Sequence, residues 1–206
     1  MTPAAGRKHL AVVGAGSWGT ALAIEFNRQG YEVGLWVYER ELAERMAAER
    51  ENDVFLRGFA LAENIFPSHE LQVAAAPLVV IAVPSHALRR VLTELRPLLG
   101  PAAEVVLATK GLEEHTCLRV SEVALEVLGT DWAPRLATLS GPTFAREVAA
   151  GDPTAVVLAA ASAALAASLQ QRLSSPTLRI YTSTDLVGVE LAASLKNVIA
   201  IAAGIC

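Results

Sequence analysis

The chain has 206 residues, 53% of them apolar and 18% charged, which supplies material for a core and excludes a disordered polyelectrolyte. A net charge of −4 leaves no basic footprint for a nucleic-acid backbone. The two cysteines, Cys117 and Cys206, have no metal-ligand spacing and suit a reducing, cytoplasmic setting rather than a disulfide framework.

Before Gly14 there is no apolar run long enough for a secretory signal. HLAVVG at 9–14 is short and β-branched, a strand, and SWGTALAIEFNRQG at 17–30 is a helix closing at Gly30. YEVGLWVY at 31–38 is a second strand, and ERELAERMAAERE at 39–51 a charged amphipathic helix. Residues 52–67 carry no clear period and read as a looser region. PLVVIAVP at 77–84 is a buried strand, followed by a helix at 85–100 with Ser85 as its N-cap.

AEVVLATKG at 103–111 is a strand running into a loop, 117–129 a helix, and RLATLSGP at 135–142 a strand and turn, after which Thr143 is placed to cap a helix. Strands at 154–160 and 178–183 flank an Ala-rich helix at 162–173. The longest apolar stretch, 186–206, has the length of a membrane span but carries Glu190 and Lys196 near its middle, so no membrane partner is expected. Strands joined by single helices give an α/β fold, a doubly wound, mostly parallel Rossmann-like sheet. Strands apolar throughout call for helices on both faces.

The first strand-to-helix junction, VVGAGSWGTALA, spaces Gly14, Gly16 and Gly19 as G-x-G-x-x-G. Gly14 permits the tight turn, Gly16 lets a pyrophosphate approach the backbone, and Gly19 allows helix and strand to pack closely. The helix N-terminus adds free N–H groups and the positive end of its dipole. Glu39 stands about twenty residues further on, where a carboxylate accepts hydrogen bonds from a ribose and repels a 2′-phosphate. The prediction is a dinucleotide site taking NAD in preference to NADP. The alternative is a structural glycine corner, with Glu39 merely opening a helix.

Two apolar regions each carry one lysine. Lys110 ends a strand at the sheet edge where α/β folds bind ligands, and is otherwise a solvated loop lysine. Lys196 interrupts an apolar helix, GVELAASLKNVIAIAAG, as the ion-pair partner of Glu190, as a snorkelling side chain, or as a general base. A lysine desolvated beside another cation has its pKa lowered toward neutrality, which suits it to an alcohol proton. His86 lies at the cofactor edge without an evident carboxylate and is not assigned as a catalyst.

Together the segments GAGSWGTALA, LWVYER, REN with FLRG, VIAVPSHALR, ATKGLE, SGPTFAREV, PTAVV and GVELAASLKNVIAIAAGI resemble the soluble nicotinamide-dependent glycerol-3-phosphate dehydrogenases. The resemblance implies hydride transfer between NAD(P) and sn-glycerol 3-phosphate or dihydroxyacetone phosphate, serving glycerophospholipid synthesis, by an enzyme that is a homodimer at full length. It places Ser17 and Trp18 in the cofactor turn with the three glycines, and Tyr38, Glu39 and Ala145 against the cofactor. Lys110 would contact cofactor and substrate, Lys196 would be the catalytic lysine, and Gly141, Thr143 and Asn197 would line the substrate. No metal is implied.

Two departures stand out. WVYE resembles the NAD-preferring version, where many bacterial relatives carry Arg at Tyr38 or Glu39. Arg57 replaces the proline of an FLPG-type turn. The family also continues well beyond AIAAGI into an all-α domain that grips the substrate phosphate. The expected organisation is a dinucleotide-binding domain over 1–184, with 185–206 as the first helix of a truncated substrate domain. On that expectation the isolated chain binds a dinucleotide and turns over glycerol 3-phosphate poorly. A cofactor-binding module without activity, or another phosphosugar or hydroxyacid dehydrogenase, are the alternatives.

Overall fold

The computed structural model describes residues 8–205. The first apolar run forms β1 (Lys8–Val13), and the chain turns through Gly14 into α1 (Ser17–Arg28). Gly30, at φ +87°, closes α1 as expected and leads into β2 (Tyr31–Trp36) and α2 (Arg40–Glu49). The region that looked loose contains a hairpin, β3 (Glu51–Asn52) with β4 (Leu56–Ala60), and then β5 (Ile65–Ser68). β5 pairs with β2 at the sheet edge, where Pro67 costs little because its outer side has no strand to serve.

β6 (Leu78–Ile81), α3 (Ser85–Leu95), β7 (Glu104–Leu107), α4 (Val120–Leu128) and β8 (Leu136–Ser140) continue the winding. They are followed by α5 (Ala145–Ala150), β9 (Thr154–Ala160), α6 (Ala163–Leu173), β10 (Leu178–Ser183) and α7 (Leu186–Ile205). Pro84, not Ser85, holds the N-cap position of α3, since Ser85 is already helical and caps nothing with its side chain. Phe144, not Thr143, precedes α5.

The eight-stranded sheet has the order β10-β9-β8-β7-β6-β1-β2-β5. All neighbours are parallel except β8 and β9, so β9 and β10 run against the other six. The cause is the connection: α5 has six residues, roughly 9 Å of helix, too short to carry the chain back along the sheet. It stays at the carboxyl end, beside α1, and β9 starts from there.

Both faces are covered, as the uniformly apolar strands require. Leu10 and Val12 of β1 join a core with α1, α2, α5 and α6, while Ala11 and Val13 join a second core with α3 and α4. α7 packs against β8 and β9 but leaves Val187, Leu191, Leu195, Val198, Ile199, Ile201 and Ile205 exposed. Among the described residues no single helix is long and apolar enough to cross a membrane; α7 qualifies only as a pair of segments bent by 48°.

Candidate active site

The carboxyl ends of β1, β2, β6 and β7 open onto a groove of about 750 Å³. The glycine turn forms its floor, and each glycine has the distinct reason the motif assigns. Gly14 sits at φ +108°, where an added Cβ would lie 2.9 Å from the Ala82 carbonyl oxygen. A Cβ on Gly19 would lie 1.8 Å from the Gly14 carbonyl oxygen, so α1 and β1 pack at a distance only glycine allows. A Cβ on Gly16 would meet nothing within 4 Å, because that side faces the groove. The N-terminus of α1 has no side-chain cap and no acid in its first turn, leaving its amides and dipole for an anion.

Ser17 and Trp18 line the same groove, and the Trp18 indole N–H is buried with no hydrogen-bond partner among the described residues. The open cradle at Gly16 and this orphaned donor fit a bound dinucleotide. Tyr38, Glu39 and Ala145 also line the groove, as do His86 and Arg90. His86 is exposed and has no carboxylate beside it among the described residues.

Lys110 stands at the far end of this groove and also lines a second cavity of about 270 Å³, bounded by Gly141, Pro142, Ala192 and Lys196. Its Nζ donates to the Gly141 carbonyl oxygen at 3.2 Å and the Thr143 hydroxyl at 3.3 Å, and lies 5.4 Å from the centre of the Trp18 ring. Thr143 therefore orients Lys110 where a helix cap was expected. Burial pushes the Lys110 pKa below that of an ordinary lysine, and the positive charge of Lys196 lowers it further. Gly141 is fixed by packing, since a Cβ there would lie 3.0 Å from the Ala155 carbonyl oxygen.

The ion pair Glu190–Lys196 does not form. Glu190 is 3% exposed and accepts from Ser121 N (3.0 Å), Ser121 Oγ (2.8 Å), Thr138 Oγ1 (3.0 Å) and Arg119 Nη1 (3.0 Å). Lys196 is left partly buried with its Nζ 5.3 Å from the Phe144 ring centre. Among the described residues, neither Lys110 nor Lys196 has a carboxylate partner. Asn197 lies in α7, but its side chain is outside the described residues.

A model of the N-terminal region of NAD-dependent glycerol-3-phosphate dehydrogenase matches residues 9–166. The chain belongs to this family. It is 48% identical over 200 residues to a glycerol-3-phosphate dehydrogenase [NAD(P)+] of Koribacter versatilis, covering 96% of this chain and 59% of that protein. The corresponding values for the Geobacter sulfurreducens protein are 46%, 96% and 60%. The crystal structure of glycerol-3-phosphate dehydrogenase from Coxiella burnetii superposes with a TM-score of 0.88 at 37% identity, covering 97% of this chain and 61% of that one. The chain thus spans about three-fifths of the length of these relatives.

Two residues of this family member escaped sequence reasoning. Asn52 is fully buried; its Nδ2 donates to the Ala15 carbonyl and the Thr20 hydroxyl, both at 2.8 Å, and its Oδ1 accepts from Phe55 N at 3.0 Å. It ties the β3–β4 turn to the glycine turn and sets Phe55 at the groove wall. Arg57, the second residue of β4, accepts at its carbonyl from Arg146 Nη1 at 3.0 Å, which ties this strand to α5. Arg90 is the second, and the only signal for it was the Arg89-Arg90 pair on the helix that flanks the groove.

Proposed function

We propose that this chain binds NAD(P) in the groove and takes part in hydride transfer between that cofactor and sn-glycerol 3-phosphate or dihydroxyacetone phosphate. The observation that carries the reading is the position of Lys110, shared between the long groove and the smaller cavity that Lys196 also lines. The glycine turn with Ser17 and Trp18 would hold the dinucleotide, and Lys110 would then stand between its nicotinamide end and the second cavity. When bound, the nicotinamide supplies the hydride acceptor or donor.

The chain's own residues supply charge and a proton. A phosphate monoester carries about −1.5 to −2 charge at pH 7, and two ammonium groups without carboxylate partners attract it into the cavity. Lys196 takes the C2 hydroxyl proton in oxidation and returns it in reduction. Lys110, held by Gly141 and Thr143, orients the substrate against the cofactor, with Asn197 as a further substrate contact. The apolar Val189, Ala192 and Ala193 exclude water on the α7 side.

On this reading Glu39 favours NAD over NADP, by accepting from the ribose and repelling a 2′-phosphate. Residues 1–184 form the dinucleotide-binding unit, and 185–206 open a helical unit that contributes to the substrate wall. The exposed apolar side chains of α7 support a covering element or a second copy, hence a homodimer. A cytoplasmic role in supplying glycerophospholipid precursors follows from the same activity. The test is dihydroxyacetone phosphate reduction with NADH, run beside a calorimetric NADH titration. Binding with slow turnover that is lost in Lys196→Met supports the reading, robust turnover overturns the truncated substrate domain, binding without turnover leaves a cofactor module, and no binding overturns the whole reading.

A further inference from the structure

Adjacent arginines on α3 have opposite surroundings. Arg89 is committed: Nε and Nη2 donate to both Glu113 oxygens at 2.8 and 2.9 Å, and Nη2 also reaches Glu126 at 2.7 Å. The pairing lifts the Arg89 pKa still higher and holds the Glu113 carboxyl down at about 2. Arg90 is not committed. Among the described residues its one ionic partner is Glu94, a turn further along α3, at 3.0 Å, with side chains 49% and 47% exposed. Exposed i,i+4 pairs of this kind are weak and readily exchanged.

Arg90 also faces the groove. Its guanidinium carbon lies 5.1 Å from the centre of the Tyr38 ring, across the end of the groove where β2 gives way to Glu39. Tyr38 in turn stands edge-on to Trp36, with ring centroids 6.0 Å apart at 68°. One wall of this end therefore offers a carboxylate, and the other a guanidinium that spans the gap over an aromatic face. In a dinucleotide fold the end of the second strand meets the adenosine ribose, and an arginine close by is what accommodates a 2′-phosphate.

Resting on the dinucleotide reading, we propose that Arg90 is the residue through which this chain accepts a 2′-phosphorylated adenosine, so that NADP is used alongside NAD. With a free 2′-hydroxyl, Glu39 accepts its hydrogen bond and Arg90 stays paired with Glu94. With a 2′-phosphate, Arg90 exchanges Glu94 for two phosphate oxygens, and this charge-assisted fork offsets the repulsion from Glu39. The sign of the site is set by two residues on different elements, not by Glu39 alone.

Calorimetric titration with NADH and NADPH, and with 5′-AMP and 2′,5′-ADP as probes of the adenosine end, tests this on wild type, Arg90→Gln, Arg90→Lys and Glu39→Gln. The NADPH-to-NADH affinity ratio should fall about tenfold in Arg90→Gln and about threefold in Arg90→Lys, and rise in Glu39→Gln. The ratio of 2′,5′-ADP to 5′-AMP affinity should fall with salt in wild type, where the Arg90 attraction is screened, and should not fall in Arg90→Gln. An unchanged ratio in Arg90→Gln overturns the proposal, as does NADH binding with no measurable NADPH binding; both leave the dinucleotide reading standing. Failure of wild type to bind any of the four probes overturns both.

Discussion

α7 carries two charges six residues apart, and the structure treats them in opposite ways. Glu190 is almost fully buried with four donors, including the Arg119 guanidinium and the Ser121 amide at the N-terminus of α4. Lys196, about 9 Å further along the helix, has an aromatic face beside it and a like charge, Lys110, across a cavity. Charge is saturated where α7 must be held and left unsaturated where a ligand is to be received. A buried charge without its partner is among the costliest defects a fold can carry. Arg119→Ala should therefore destabilise the chain by about 3–5 kcal/mol, read from the midpoint of urea unfolding. Glu190→Gln, which keeps the shape and part of the hydrogen bonding, should cost less. A loss below about 1 kcal/mol in Arg119→Ala would mean that the anchor is not needed.

The same division between filled and open runs through the glycine turn. Gly19→Ala forces a methyl group against the Gly14 carbonyl and should cost about 1–3 kcal/mol or more, because both backbones must separate. Gly16→Ala places its methyl in open space with φ already at −65°, so stability should change by less than about 1 kcal/mol. NADH affinity should nevertheless drop steeply, since that methyl occupies the place where the pyrophosphate approaches the backbone. Equal stability losses in the two variants would collapse the distinction.

The sequence made legible whatever local physics decides. The glycine turn, α1 with its closing Gly30, and the strands apolar on both faces all follow from spacing and composition. The edge strand β5 was hidden because it is short and contains Pro67, and the two-residue β3 is below the reach of any period. The reversed direction of β9 depends on the length of α5, six residues whose end points composition does not fix. Lys110 was recognised by its place at a strand end, but the partners that orient it lie 31 and 33 residues further on. Glu190 looked like the natural partner of Lys196 on the same helix; the donors that claim it come from α4 and β8, between 52 and 71 residues away. Asn52 and Arg90 matter through tertiary contacts that their own segments do not reveal, the Arg89-Arg90 pair apart.

The smallest effect to measure is also the most direct test of the unsaturated side. Lys110 has a folded pKa below 10.5, first because it is buried and then because Lys196 is charged. Between that lowered value and 10.5 the unfolded chain holds a proton that the folded chain has released, so folding stability rises with pH across the window. Below the window the full cost of the buried charge is present; above it the cost is relieved. Lys110→Met should flatten this alkaline rise. Lys196→Met should shift it to higher pH without abolishing it, because burial, the larger cause, remains. An anion in the cavity favours the charged form, so inorganic phosphate should raise the Lys110 pKa and bind with uptake of protons on the alkaline side. Its affinity should fall as pH rises through the Lys110 value, and in Lys196→Met that fall should begin later. Calorimetry in buffers of different ionisation enthalpy reads the proton uptake directly. Phosphate binding with the same pH dependence in wild type and Lys196→Met would show that the two lysines do not act on one ligand.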